Sequence, residues 1–350
     1  MKTMPSHARP GDRNLITDVA GLKVGQTQDA DRRTGVSVIL PDARAVCACD
    51  VRGGAPGTRE TDALAPENLV EAVDAVVLSG GSVYGLAAAD GVAAWLGARG
   101  RGYGLAQAAR APVSPVVPAA ILFDLANGGD KAWGEAPPYR ALGMAAVAGA
   151  AEDFALGTAG AGYGALAGAL KGGIGSASVI AADGIAVGAM VAVNCWGSVT
   201  APGGRTFWAA PYEIGEEFGG LGAGGLAAAP EAWGLAKSPD TGRNTTIACV
   251  ATDVALTPAQ AKRVAIMAQD GLARAIRPIH APFDGDVVFA ISTARQVMPQ
   301  AADLVVARIG ALAADSLARA VARAAFEARP WPGVEVACWR DLADGRSTQA

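Results

Sequence analysis

A threonine and two aspartates have the residue types and spacing that could carry out chemistry in this chain. Thr245 opens a β-branched, apolar run (TTIACVATDV, Thr245–Val254) that predicts a strand at the centre of a sheet. Asp284 and Asp286 are separated by one glycine, so on an extended chain both carboxylates point to the same side. Such a pair is either a metal or turn feature, or it orients a cationic partner such as a free amine.

Two more polar residues lie in small, apolar surroundings. Lys171 is the only charged residue between Asp153 and Asp183, and it is either exposed on a loop or buried with a functional role. Asn194 directly follows a predicted buried strand, where its side chain must find hydrogen-bond partners; an asparagine there is usually a turn residue. Spacing alone decides neither case.

The composition excludes several kinds of active site. Apolar residues make up 51% of the 350 positions, aromatic residues only 5%, and glycine supplies 46, so small side chains form the core. The two histidines, His7 and His280, are too few for a structural zinc cluster or a mechanism with several imidazoles, and we predict neither a metal nor a cofactor. Catalysis must therefore run largely without histidine.

Charge and cysteine content limit partners and compartment. The net charge is −4, and the 29 basic and 33 acidic residues are scattered along the chain. We therefore expect no nucleic-acid partner and no binding to an anionic membrane. Residues 184–204 form the longest stretch without charge, but their polar residues and glycines predict a strand and turn, not a membrane span. The polar N-terminus resembles no secretory signal, and five cysteines without a regular framework suit the reducing cytoplasm.

Local patterns predict the elements that must position these residues. Residues 35–40 and 43–51 alternate or run apolar around Pro41-Asp42 and predict a hairpin, and residues 72–78 predict one buried strand. Thr257, Pro258 and Gln260 have the pattern of a capping box that opens a helix. Residues 301–328 predict a second helix, residues 333–338 predict an edge strand, and the glycine- and proline-rich residues 201–243 predict a flexible linker before Thr245.

Several of these motifs, taken in order, resemble the DmpA-type aminopeptidases and, most closely, their nylon-oligomer hydrolase (NylC) branch. No single motif is specific, but their order and spacing from about residue 12 to residue 293 are. The shared segments are Arg52–Thr58 (RGGAPGT), Gly80–Ser82 with Gly85, Lys171–Gly175 (KGGIG), Gly242–Ile247 (GRNTTI), Val250–Asp253 (VATD), Thr257-Pro258 and Phe283–Ala290 (FDGDVVFA).

The resemblance implies a precursor that cuts itself between Asn244 and Thr245. One catalytic domain would then consist of two associated chains, 1–244 and 245–350, with Thr245 as an N-terminal nucleophile. Because the new α-amine has a reference pKa of about 7.7 to 8.0, it can act as the base at neutral pH. The resemblance further assigns Asn194 to the oxyanion and Lys171 to a place near the nucleophile. It also assigns Asp284 and Asp286 to orienting the amine.

This sequence departs from the similar hydrolases at one position. A tyrosine hydroxyl near the nucleophile is replaced here by Phe123, which cannot donate a hydrogen bond. Tyr84, Tyr163 or a water substitutes for it, or the site relies on Asn194 and Lys171 alone. Substrate contacts are expected from Tyr84, Phe123 and Trp196.

The resemblance predicts an α/β fold of the DmpA and ornithine acetyltransferase type, a four-layer αββα sandwich. It also predicts a homo-oligomer, a tetramer of cleaved heterodimers. The expected activity is hydrolysis of small peptides, amino-acid amides or linear 6-aminohexanoate oligomers. Two alternatives stay open on the sequence: an acyltransferase similar to ornithine acetyltransferases, and a binding or scaffold protein without processing.

Overall fold

The computed structural model describes residues 7–104, 111–224, 226–237 and 244–343. It contains two large sheets, and helices cover the outer face of each. The predicted segment 201–243 lies partly outside the described residues, at 225 and 238–243.

Six strands form the first sheet, and the strand that begins with Thr245 lies inside it. The order across this sheet is β10 (Gly173–Ile180), β11 (Ala186–Asn194), β12 (Thr245–Val254), β13 (Val287–Gln296), β3 (Ala45–Val51) and β5 (Ala72–Val73). β12 pairs antiparallel with β11 and parallel with β13, and all ten of its residues are buried. The predicted central strand is confirmed.

Five shorter strands form the second sheet. Their order is β1 (Leu22–Asp29), β2 (Thr34–Pro41), β6 (Val76–Ser79), β7 (Ala119–Ile121) and β4 (Thr58–Arg59). A separate pair, β8 (Leu166–Ala167) and β9 (Leu170–Lys171), lies close to the end of β11.

Helices complete a four-layer arrangement. α3 (Pro258–Ala275) and α4 (Ala302–Phe326) pack on the first sheet, and α1 (Ala88–Gly97) and α2 (Tyr139–Ala148) pack on the second. A third apolar cluster, which includes Ile39, Ile247 and Phe289, fills the space between the sheets. The short helix α5 (Trp339–Ala343) packs near α4. The αββα sandwich is therefore confirmed, and the capping box at Thr257 opens α3 as predicted.

Small residues allow helix and sheet to approach closely. At Gly175 of β10, a Cβ atom would collide with the carbonyl oxygen of Ala320 in α4. The abundance of glycine and alanine in the sequence thus has a packing function, because short distances between layers hold the strands of the site in place.

The predicted hairpin of residues 35–40 and 43–51 is wrong. β2 pairs with β1 and β6 in the second sheet, whereas β3 pairs with β13 and β5 in the first. Ile39 and Cys47 instead both belong to the cluster between the sheets. Because the two strands lie in different, stacked sheets, their apolar faces cover each other. In a hairpin the two strands would lie side by side, and other elements would have to cover their apolar faces.

Two other predicted strands also differ. Residues 72–78 divide into β5 and β6 in different sheets, and buried Asp74 between them accepts the N–H of Val116 (2.9 Å) and lies 3.6 Å from Arg44. The edge strand over residues 333–338 is wrong, because this segment contains only a turn and irregular backbone. Alternating polarity there does not lead to pairing.

The described part of residues 201–243 is less exposed than a flexible linker. Phe207 and Phe218 are buried against the helical face of the first sheet, and Glu217 forms a buried ion pair with Arg319 of α4 (2.6 Å). Exposed residues predominate among the described positions after residue 218. Separately, no helix among the described residues is long and apolar enough to cross a membrane.

Candidate active site

The ends of neighbouring strands bring the predicted site residues together. Thr245, the first residue of β12, is in register with Asn194, the last residue of β11. Side chains alternate along a strand, so Thr245 lies on the same face as Ile247, which belongs to the cluster between the sheets. Thr245 therefore stands at the edge of that inner layer and is itself buried.

The peptide bond before Thr245 is held by two hydrogen bonds to its carbonyl oxygen. Thr245 Oγ1 donates to the Asn244 oxygen at 2.5 Å, and the backbone N–H of Gly285 donates to the same oxygen at 3.0 Å. A Cβ atom on Gly285 would lie 2.8 Å from Thr245 Oγ1, so this position requires glycine. The hydroxyl thus lies beside a carbonyl that already accepts a backbone donor.

The two aspartates of the acidic pair have different partners. Asp286 accepts the backbone N–H of Thr246 at 2.7 Å, and His280 Nδ1 lies 2.8 Å from its other oxygen. Asp284 Oδ2 accepts the N–H of Ala281, whereas buried Oδ1 has no partner among the described residues. Burial and then the charge of Asp286 raise the pKa of Asp284 to about 6.

Lys171 is completely buried on β9, so the exposed alternative is wrong. Its Nζ donates to the carbonyl oxygens of Gly172 (2.7 Å), Ala165 (2.9 Å) and Gly162 (3.3 Å), and it lies 5.0 Å from the ring centroid of Trp331. Burial lowers the pKa of Lys171 to about 7. Lys171 pairs with Leu166 in the β8–β9 hairpin, which lies close to the end of β11.

Asn194 connects that hairpin to the second sheet. Its Oδ1 accepts the N–H of Leu166, which pairs with Lys171, and its Nδ2 donates to the carbonyl of Phe123 (2.9 and 3.0 Å). An amide nitrogen carries two hydrogens, and so one remains for another acceptor. Phe123 therefore contacts Asn194 through its backbone carbonyl.

The residues expected to contact substrate lie in different surroundings. Trp196 is buried, and its ring centroid lies 5.1 Å from those of Trp233 and Phe283, next to Asp284 in the chain. Its Nε1 has no hydrogen-bond partner within the described ranges. Tyr84 is 46% exposed and packs edge-on against Trp133, with the centroids 5.7 Å apart.

Sequence reasoning missed three residues at this site. Lys237 Nζ donates to Asn244 Oδ1 (2.6 Å) and to the carbonyl of Asn194 (3.3 Å), although the residue fell within the predicted linker. His280 contacts Asp286, although histidine was discounted. Gly285 donates its N–H to the carbonyl of Asn244, whereas the sequence shows it only as a spacer between two aspartates. The available signal was the glycine itself, because glycine allows a close approach between backbone segments.

Comparison with known proteins relates this arrangement to a peptidase family. Residues 14–337 match the family described as Peptidase family S58. An uncharacterized aminopeptidase of Mycobacterium tuberculosis is 44% identical over 350 residues, which cover 95% of this chain and 98% of the relative.

Two further proteins extend the comparison to a named activity and to a solved fold. A 6-aminohexanoate-oligomer endohydrolase of Kocuria sp. is 29% identical over 302 residues, covering 81% of this chain and 76% of that protein. The structure of an L-aminopeptidase D-Ala-esterase/amidase from Ochrobactrum anthropi superimposes with a TM-score of 0.69 at 21% identity, and the match covers 98% of this chain and 95% of that one. It is described as a prototype for the serine aminopeptidases and a new variant among the Ntn hydrolase fold.

Proposed function

Because this chain belongs to peptidase family S58 and is a hydrolase of amide or peptide bonds, we propose that it is a precursor that cuts itself before Thr245. The mature enzyme would hydrolyse small peptides, amino-acid amides or linear 6-aminohexanoate oligomers through an acyl-enzyme on Thr245. The observation that carries this proposal is the 2.5 Å contact between Thr245 Oγ1 and the carbonyl oxygen of Asn244. A strand-initial hydroxyl beside its own preceding carbonyl suits an N-to-O acyl shift.

Self-cleavage begins with attack of Thr245 Oγ on the carbonyl carbon of Asn244. The Oγ–C bond forms and the C–N bond breaks, while the hydroxyl proton passes to the Thr245 nitrogen. Water then hydrolyses the ester, which leaves a carboxylate on Asn244 and restores the hydroxyl. The products are chains 1–244 and 245–350.

The mature reaction uses the released α-amine as base. Its reference pKa of about 7.7 to 8.0 leaves a useful fraction unprotonated at neutral pH, so it can take the hydroxyl proton as Thr245 attacks the substrate. Asp284 Oδ1, buried and without a partner among the described residues, is a suitable acceptor for this amine. Asp286 fixes the next residue by accepting the N–H of Thr246.

Asn194 and Lys171 support the developing charge. The second hydrogen of Asn194 Nδ2 would donate to the oxyanion of the substrate, a contribution of about 3 to 4 kcal/mol in a preorganised site. Lys171 is held by carbonyl oxygens of the segment that binds Asn194, and we assign it to polarising Thr245 and assisting self-cleavage.

The proposed substrates follow from the relatives and from the aromatic surroundings. Trp196, whose Nε1 has no partner in the described part of the chain and whose ring has two aromatic neighbours, would contact the carbon chain of a substrate and donate one hydrogen bond. Phe123 and the exposed Tyr84 would provide further contacts to the substrate. No metal or cofactor has a step in this chemistry.

Mass spectrometry of the purified protein tests the proposal directly. We expect two fragments, one with Thr245 at its N-terminus, and release of amine from amino-acid anilides or 6-aminohexanoate oligomers. Thr245→Ala should give one uncut, inactive chain, and a Thr245→Ala protein that still splits would overturn the assignment.

We also propose a cytoplasmic enzyme that forms a tetramer of cleaved heterodimers. Five buried, unbridged cysteines suit a reducing compartment, and the oligomer rests on the family resemblance alone. Light scattering after size-exclusion chromatography should give the mass of four complete chains.

A further inference from the structure

Residues 233–237, which precede the scissile bond by a few positions, are anchored to the site. The carbonyl of Leu235 accepts the N–H of Ala169 (2.7 Å), and the N–H of Lys237 donates to the carbonyl of Trp196 (2.9 Å). The ring of Trp233 packs on that of Trp196. Lys237 therefore has a defined backbone position, although it lies in a segment without regular secondary structure.

The side chain of Lys237 joins both sides of the active site. Its Nζ donates to Asn244 Oδ1 at 2.6 Å and to the backbone carbonyl of Asn194 at 3.3 Å. None of the ion pairs between described residues includes it. Burial lowers the pKa of Lys237 to about 8, although the charge of nearby Asp284 acts in the opposite direction.

Asn244 is consequently held at two points, one on its side chain and one on its main chain. Lys237 binds the side-chain oxygen, and the Gly285 N–H binds the main-chain oxygen that becomes the oxyanion in self-cleavage. Rotation of Asn244 would break one or both contacts. The carbonyl thus stays beside Thr245 Oγ1, and holding reacting groups in this way accelerates an intramolecular attack.

We propose that Lys237 is a positioning residue for self-cleavage, acting through the side chain of Asn244 to hold the scissile carbonyl against Thr245 and the Gly285 N–H. The inference rests on the proposed self-cleavage. In this role Lys237 exchanges no proton: the Thr245 hydroxyl proton passes to the Thr245 nitrogen, and Lys237 only donates a hydrogen bond to Asn244 Oδ1. Hydrogen bonds from charged groups are strong enough for its loss to slow cleavage about ten-fold or more.

The experiment measures conversion of full-length chain into two fragments after a short pulse of cell-free synthesis. The variants are Lys237→Met, Lys237→Arg, Asn244→Ala and the double variant Lys237→Met/Asn244→Ala. Lys23→Met is the matched control, because it removes a half-buried lysine that pairs with Asp42. Melting temperatures are compared in a Thr245→Ala background, in which every chain stays uncut.

We expect Lys237→Met to slow conversion about ten-fold or more, Lys237→Arg to restore part of the rate, and Lys23→Met to leave it unchanged. In the Asn244→Ala background, Lys237→Met should change the rate by less than about two-fold, because its partner is already absent. A general loss of stability would instead slow both backgrounds equally.

Equal slowing in both backgrounds would overturn the inference, whatever the melting temperatures. So would conversion of Lys237→Met at the wild-type rate while Thr245→Ala stays uncut, a result that leaves the proposed function standing. Splitting of the Thr245→Ala chain would overturn the proposed function itself, and the two failures are therefore distinguishable.

Discussion

Lys171 should make the stability of the uncut chain depend on pH in an unusual direction. Burial lowers its pKa from 10.5 to about 7, and at about 1.36 kcal/mol per pKa unit the charged form costs at most about 5 kcal/mol. The unfolded lysine keeps its proton up to about pH 10.4, whereas the folded chain releases it above about 7. The unfolded state binds more protons in this window, so the free energy of unfolding rises with pH there.

Substituting Lys171→Met in the Thr245→Ala background isolates this effect. The parent should gain about 3 kcal/mol relative to the Met variant between about pH 7 and pH 9.5, because only the parent releases the proton. Urea unfolding followed by tryptophan fluorescence measures both chains at each pH. A constant difference across this range would refute a depressed pKa of Lys171, and Lys23→Met, which removes a lysine paired with Asp42, serves as the control.

Three other predictions concern the reacting groups. Gly285→Ala should slow self-cleavage at least about ten-fold, because its Cβ would lie 2.8 Å from Thr245 Oγ1. The control Gly97→Ala, whose Cβ would have no contact closer than 3.7 Å, should leave the fraction of cut chain on a denaturing gel unchanged. The pH profile of the mature enzyme should fall in two steps: the first as the α-amine, with a reference pKa of about 7.7 to 8.0, takes up a proton, and the second at lower pH as Asp284 is protonated, since burial raises the pKa of this carboxyl to about 6 in the uncut chain. A pH profile of kcat/KM that keeps the lower step unchanged in Asp284→Asn would contradict the assignment. Asn194→Ala should lower kcat about 100- to 1,000-fold with a smaller effect on KM, and steady-state kinetics that show only a raised KM would remove Asn194 from the oxyanion site.

Local patterns predicted the elements whose signal depends on near neighbours. The apolar, β-branched run from Thr245 to Val254 is β12, and Thr257 with Gln260 caps α3. Both signals are contained in short stretches of chain, so distant contacts do not change them.

Patterns failed where two arrangements bury similar apolar surface. Residues 35–40 and 43–51 looked like the strands of a hairpin, but they stack across two sheets. Asp74 interrupts the apolar run of residues 72–78 because its carboxylate meets Arg44 and Arg101 from distant segments. Partners so far away in sequence leave no local signal.

The sequence by itself determined the chemical types at the site: a threonine at the start of a strand, an acidic pair, an isolated lysine and very little histidine. Only the tertiary structure decided how they meet. It buried Lys171 among carbonyl oxygens, left one oxygen of Asp284 without a partner among the described residues, and placed the Gly285 N–H and Lys237 on Asn244. The physical reason is that hydrogen bonds and burial at this site depend on strand ends and loops far apart in the chain, and residue order does not specify their distances.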